Sequence, residues 1–184
     1  MFIWFGELRT NHIFAKKIIM ETLQKEKEEL VEILGIHFET VYQIAPLAGR
    51  ILGLLVVEGC KSGLTFEYIV EKLGASKSSI STNLNLLLKT ERIIYFTIPC
   101  DRKKYFKSAA LSSRLSNYLK FLESENYITD RIFEYRQKTA SCPEERCNLE
   151  NIKAYKNHLQ AIEVSLKKTI AEFKEIEIKN QSNK

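Results

Sequence analysis

Apolar residues recur at helical spacing along most of this chain, with one stretch that alternates instead. From about Glu21 to Gln43, Leu23, Leu30, Val31, Leu34, Phe38 and Val41 fall on one side, and Lys25, Lys27, Glu28 and Glu32 on the other. That spacing predicts a long amphipathic helix. Ala45-Pro46 ends it, since proline disfavours helical geometry in the residue before it, and Pro46 then suits the first turn of the next helix. LAGRILGLLVVEG is apolar nearly all round and is expected to be buried. Gly59 and Gly63 punctuate a loop. Thr65 then caps FEYIVEKL, whose inner stripe is Phe66, Ile69, Val70 and Leu73.

Gly74 permits a sharp turn, and Ser76 offers its hydroxyl to the free amides of a further helix. In that helix Ile80, Leu84, Leu87 and Leu88 face inward, while Ser78, Thr82, Asn85 and Lys89 share the opposite side. Ile94 to Ile98 alternates as a strand, with Tyr95 and Thr97 against Ile94, Phe96 and Ile98. Pro99 and the charged loop Asp101-Arg102-Lys103-Lys104 break it, and Lys104 to Lys107 can pair back. Helix, turn, helix, hairpin is the order of a winged helix-turn-helix, here with a two-stranded β-wing.

After Ala110 the pattern is helical again. Leu111, Leu115, Tyr118, Leu119 and Leu122 make a stripe continued by Ile128, Ile132 and Tyr135. A break follows at Thr139-Ala140-Ser141-Cys142-Pro143. The last helix repeats Ile152, Leu159, Leu166 and Phe173 in strict sevens, with Tyr155, Ile162 and Ile176 between. Such a seam needs a partner. It can pack back on its own chain, but with the long first helix it fits a helical dimerisation domain better. The expected class is mainly α: residues 20–44 an N-terminal dimerisation helix, 45–110 the winged domain, and 111–184 a C-terminal helical dimerisation region.

Residues 1–19 do not join cleanly to this plan. Their apolar start is interrupted by Glu7 and Arg9 too early for a secretory core, and no run approaches the roughly 20 residues that cross a bilayer. A cytoplasmic protein is expected, with Met20 as the true initiator favoured over an N-terminal arm that packs on a partner. At 184 residues and 45% hydrophobic content, the chain can bury a core.

Charge sharpens the picture. Between Gly74 and Ser108, Lys77, Lys89, Arg92, Arg102, Lys103, Lys104 and Lys107 stand against Glu91 and Asp101. That segment therefore holds the chain's whole net charge of +5, and the remainder is neutral. Phosphate contacts supply most sequence-independent affinity for DNA, so the excess lies where a DNA reader needs it. Asn85 can pair bidentately with adenine, Thr82 can meet a thymine methyl, and Lys89 can reach a phosphate. Ser78 and Ser79 at the helix N-terminus suit a phosphate oxygen. Asn83, nearer the core edge, is read as a phosphate contact or a packing residue. Arg102 is the candidate minor-groove finger, and Lys103 and Lys104 would hold the flanking backbone. Asp101 is expected to orient a wing cation or cap the turn.

Catalysis finds no support, since there is no Gly-rich phosphate loop, HExxH or serine elbow. His12, His37 and His158 are isolated on amphipathic helices, and neither a metal site nor a cofactor is expected. Cys60 is read as core and Cys100 as a wing residue. Cys142 and Cys147, spaced C-x4-C, leave a redox pair or half a zinc site open, although no second pair is evident.

The string GASKSSISTNLNLLLKTERI followed by CDRKKYF resembles the GbsR branch of the MarR-like winged helix-turn-helix regulators, from about Lys27 through Phe106. On that resemblance Lys77, Ser78, Ser79, Ser81, Thr82 and Asn83 take recognition-helix positions after the capping Ser76, and Asp101-Arg102-Lys103 takes the wing motif. It implies a homodimer on a pseudo-palindromic double-stranded DNA operator, with transcription control, usually repression, relieved by a small-molecule effector. Some relatives respond to choline, for which Phe38, Tyr42, Tyr118, Phe121 and Tyr155 offer aromatic rings, but that ligand is not carried over. Two other readings stand beside this one. The first is a thiol-based redox regulator of the same fold, and the second a winged-helix module whose basic face docks an acidic protein.

Overall fold

The computed structural model describes the backbone of residues 4–182 and the side chains of residues 17–182. Two compact units divide it, residues 1–109 and 110–184. The first unit holds α1 (Trp4–Tyr42), α2 (Pro46–Glu58), β1 (Leu64–Thr65), α3 (Phe66–Leu73), α4 (Lys77–Lys89), β2 (Ile93–Thr97) and β3 (Lys104–Ser108). The second holds α5 (Leu111–Thr139) and α6 (Pro143–Ser182). Helix α1 starts well ahead of the expected Glu21. Residues 1–3 and the side chains through residue 16, His12 among them, lie outside the described residues, so the expected extension over 1–19 is met mainly as backbone.

Helix α2 is the centre of the first unit. Pro46 occupies its first turn, and Ile51, Leu52 and Leu55 are almost wholly removed from water. Burial of side chains this size stabilises by about 1.5–3 kcal/mol each. Around them lie Val31 and Phe38 of α1, Ile69 of α3, Ile80, Leu84 and Leu87 of α4, Ile93 of β2 and Phe106 of β3. Helices α1 and α2 cross backbone to backbone, with Gly49 and Gly53 of α2 set directly against the main chain of α1 around Val31 and Gly35.

Only part of the expected α1 stripe enters this core. Val31 and Phe38 are buried and Leu34 packs against them, whereas Leu23, Leu30 and Val41 are exposed together with Ile19 and Ile33. At 100° per residue the exposed set forms an adjoining apolar face, centred about a quarter-turn from the first. Cys60, expected in the core, is exposed: α2 ends at Glu58 and the chain turns away into solvent.

The wing has a third strand. The sheet order is β1-β3-β2, antiparallel throughout, with Leu64 opposite Phe106 and Thr65 opposite Tyr105. Two residues are too few to show alternation, so Thr65 displayed only its other role, as the cap of α3. The core-facing residue of β2 is Ile93; Ile94 and Ile98 are exposed, because the strand leaves the core as it starts.

A polar cluster joins three helices of this unit. The Tyr68 hydroxyl donates to Glu58, and Lys27 reaches the other Glu58 oxygen at 3.2 Å. Burial by itself raises the Glu58 pKa, but the bonds from Tyr68 and Lys27 and the charges of Lys27 and Lys72 bring it below the usual 4.5. Burial, followed by the bond and charge of Glu58, pushes the Tyr68 hydroxyl from its ordinary 10.0 up to about 12. A folded-state pKa above the unfolded one gives stability that is complete below pH 10 and is lost as pH rises towards about 12. The stability gap between the native chain and Tyr68→Phe should therefore shrink across that window, as read by urea denaturation at stepped pH; a gap that stays constant would contradict the assignment.

In the second unit α5 and α6 form an antiparallel hairpin. Ser112 bonds Glu177, Asp130 pairs with Lys156 at 2.7 Å, and Arg136 with Glu145 at 3.7 Å. The α6 seam, expected to serve a dimer, packs on α5 of its own chain: Leu159 is buried and Ile152, Leu166 and Phe173 are half-buried. The α5 face that meets it runs through Ser112, Leu115, Leu119, Leu122, Asn126 and Thr129. The rest of the expected α5 stripe, Leu111, Tyr118, Ile128, Ile132 and Tyr135, is exposed along with Phe121.

Candidate nucleic-acid interface

Local chemistry builds the helix-turn-helix. Thr65 accepts the Tyr68 amide at 3.2 Å and starts α3. Gly74 closes α3 at φ 60°, in the left-handed region that costs glycine nothing, and its amide returns to Val70 O at 3.0 Å. Ser76 accepts the Ser79 amide at 3.2 Å and so caps α4. Its hydroxyl also meets those of Ser78 at 3.1 Å and Ser79 at 2.8 Å, which groups three hydroxyls at the positive end of the helix.

Ile80, Leu84 and Leu87 anchor α4, and their spacing leaves Lys77, Ser78, Ser79, Ser81, Thr82, Asn85 and Lys89 exposed. Asn83 is half-buried and donates to Ser79 O at 2.8 Å, so its amide is used within its own helix.

The wing tip is a tight turn in which the Asp101 amide bonds Ile98 O at 3.0 Å. Pro99 and Cys100 occupy the middle, with Cys100 at φ 65°, the position that type II turns usually give to glycine. Asp101 accepts the Tyr105 hydroxyl at 2.6 Å and the Lys103 amide at 2.9 Å. The Tyr105 bond first, then the Lys103 amide and charge, lower the Asp101 pKa. Asp101 thus caps the turn, as expected, and Tyr105, which the sequence did not single out, holds it.

The seven cations of this segment are not equivalent. Lys104 lies 4.6 Å from the centre of the Tyr95 ring, and Lys107 bonds Lys61 O at 3.2 Å. Arg92 is half-buried: its guanidinium sits 3.4 Å from the centre of the Tyr42 ring. Lys77, Lys89, Arg102 and Lys103 are exposed and in no salt bridge among the described residues.

Between α4 and the wing runs a groove of about 470 Å³. Phe66, Leu84, Leu88 and Phe106 make its floor. Ser81 and Asn85 stand on one side, Arg102, Lys103 and Lys104 on the other, and Glu67 at the margin. Polar donors and cations therefore converge on one slot.

No family model matches the chain, and no curated protein does. Among solved structures it is similar to the crystal structure of a transcriptional regulator, with a TM-score of 0.61 and 22% identity over 82% of this chain and 99% of that one. The fold is a winged helix-turn-helix. A Staphylococcus aureus MepR–DNA complex is also similar, with 19% identity over 77% of this chain and 98% of the other, but its TM-score of 0.37 bears no weight. Among the described residues no three metal-ligating side chains cluster, all four cysteines are free thiols, and no helix is long and apolar enough to cross a membrane.

Proposed function

We propose that this protein is a sequence-specific DNA-binding transcriptional regulator that acts as a homodimer. Helix α4 would enter the major groove through Thr82 and Asn85, with Ser76, Ser78, Ser79 and Ser81 near the phosphates, and the wing would lie along the adjacent backbone with Arg102 turned to the minor groove. The observation that carries this reading is the set of exposed cations outside any salt bridge: Arg102 and Lys103 on the wing lip of the groove, facing Ser81 and Asn85 of α4, with Lys77 and Lys89 exposed in the first and last turns of the same helix. A surface serving only solubility would intersperse both signs.

Dimerisation draws support from the exposed apolar faces, each lacking cover within its own unit: Ile19, Leu23, Leu30 and Ile33 on α1, and Tyr118, Phe121, Ile128, Ile132 and Tyr135 on α5. Contiguous apolar surface of this kind marks an interaction site. Repression relieved by a small effector is the finer reading that the GbsR resemblance suggests. A choline cage gains nothing here, since Phe38 is buried and Tyr42 is occupied by Arg92.

Sequencing of the genomic fragments retained by the purified protein tests the reading. Enriched fragments should share an imperfect palindrome with half-sites about one helical turn apart. Sedimentation should give twice the chain mass of 21.4 kDa. Retention of an acidic protein with no DNA enrichment would replace this reading with an interaction module.

A further inference from the structure

Arg92 stands where three elements meet. Its amide donates to Leu87 O at 2.9 Å, in the last turn of α4, and its carbonyl accepts the Ala109 amide at 2.9 Å, just past β3. The next residue, Ile93, opens β2 and is buried. The main chain of Arg92 thus fastens the end of α4 to both strands of the wing. Its side chain fastens the same point to α1: the guanidinium lies on Tyr42, the last residue of that helix, and Tyr42 stacks on the buried Phe38 at 5.5 Å with 6° between the rings. The Arg92 Nε is buried and makes no hydrogen bond, so it is not presented to a phosphate. A planar guanidinium suits a ring face as a lysine ammonium does not, and with both residues half-buried the contact is stronger than a fully exposed one.

We propose that Arg92 is a positioning residue for DNA recognition: through its stack on Tyr42 it sets the angle between α4 and the wing, and it does not touch DNA. This rests on the DNA-binding reading above. It separates one cation of the basic segment from the rest, and the salt dependence of binding distinguishes the two roles. A cation that neutralises a phosphate contributes about 0.9 to the slope of log affinity against log salt, whereas a positioning residue contributes nothing to it.

The full chain and its Arg92→Met, Arg92→Lys and Tyr42→Leu variants would be titrated with the best wild-type DNA fragment between about 50 and 200 mM salt. Each variant should lose roughly tenfold in affinity with the slope unchanged. The double variant Tyr42→Leu/Arg92→Met should bind no worse than either single, because both remove one contact. A slope shallower by about 0.9 per protomer in Arg92→Met, with Arg92→Lys near wild type, would make Arg92 a phosphate ligand and overturn the proposal. Unchanged affinity would overturn it as well.

Amide hydrogen exchange gives an answer that needs no DNA. In Arg92→Met the Ala109 amide should exchange faster while the amides of Ile51 and Leu52 in α2 keep their protection. Faster exchange at Ala109 in a protein that binds no DNA would leave the stack's structural role standing while the DNA-binding reading, and with it the recognition role, failed. Unchanged exchange at Ala109, or loss of protection through α2 in every variant, would show that the stack does not act locally on the wing.

Discussion

Gly49→Ala should destabilise the first unit, by about 2 kcal/mol net or more. A Cβ built on Gly49 lies 2.4 Å from Gly35 O and 3.3 Å from Glu39 N, both main-chain atoms of α1. Neither can rotate away as a side chain would, so α1 has to shift, and overpacking of this kind costs about 1–3 kcal/mol or more. Opposing it is the gain of up to about 1 kcal/mol when alanine replaces glycine in a helix. The clash wins because a gap of 2.4 Å is far inside van der Waals contact. Gly53→Ala, whose Cβ meets Val31 O at 2.8 Å, should behave alike and less severely. Gly74→Ala is the useful contrast: a Cβ there meets nothing within 4 Å, so only the left-handed φ is penalised, at about 1–2 kcal/mol. Urea midpoints at constant slope rank the three, and a Gly49→Ala midpoint at or above wild type would sink the account of the crossing.

The second large effect concerns the exposed cations. With Lys77→Ala and Arg102→Ala combined, a dimer loses four positive charges from the proposed interface. If each meets a phosphate, the slope of log affinity against log salt becomes shallower by about 3.5, and at low salt the affinity falls by several orders of magnitude. Lys168→Ala, a control on α6 where Lys168 pairs with Glu172 at 3.9 Å, should leave both quantities unchanged. Filter-binding or fluorescence titrations across a salt series measure this, and an unaltered slope in the double variant would place the DNA-reading face elsewhere.

What the sequence disclosed and what it hid divide along a physical line. Caps and turns are written in a few neighbouring residues, so Pro46, Thr65, Gly74 and Ser76 act where they were expected to. So does the core of α4, where propensity and spacing agree. Periodicity, however, reports only that a face is apolar, not what covers it. Helix α1 carries two such faces and α5 two more, and the covered one is chosen by a partner distant in sequence. The α6 seam carries the same ambiguity: it packs on α5, and nothing in a heptad distinguishes a partner in the same chain from one in another. Strand β1 was too short to alternate, and Ile93 rather than Ile94 faces the core because the strand begins inside it. At the candidate site, a charge count treats every cation as free. Tyr42 and Arg92 are fifty positions apart in the chain, and no local pattern announces that one ring occupies one of the seven cations.

The glycine crossing also bears on how motion can travel in this unit. Side chains between helices act as compliant spacers that change rotamer and absorb small displacements, but α1 and α2 meet where there are none. Helix α2 in turn packs directly on α4. A tilt of α1 therefore passes to α2 at the glycine crossing with no cushion, and from α2 it reaches α4 only through the packed side chains of the shared core: α1 and α2 move as one lever, and the core is its compliant end.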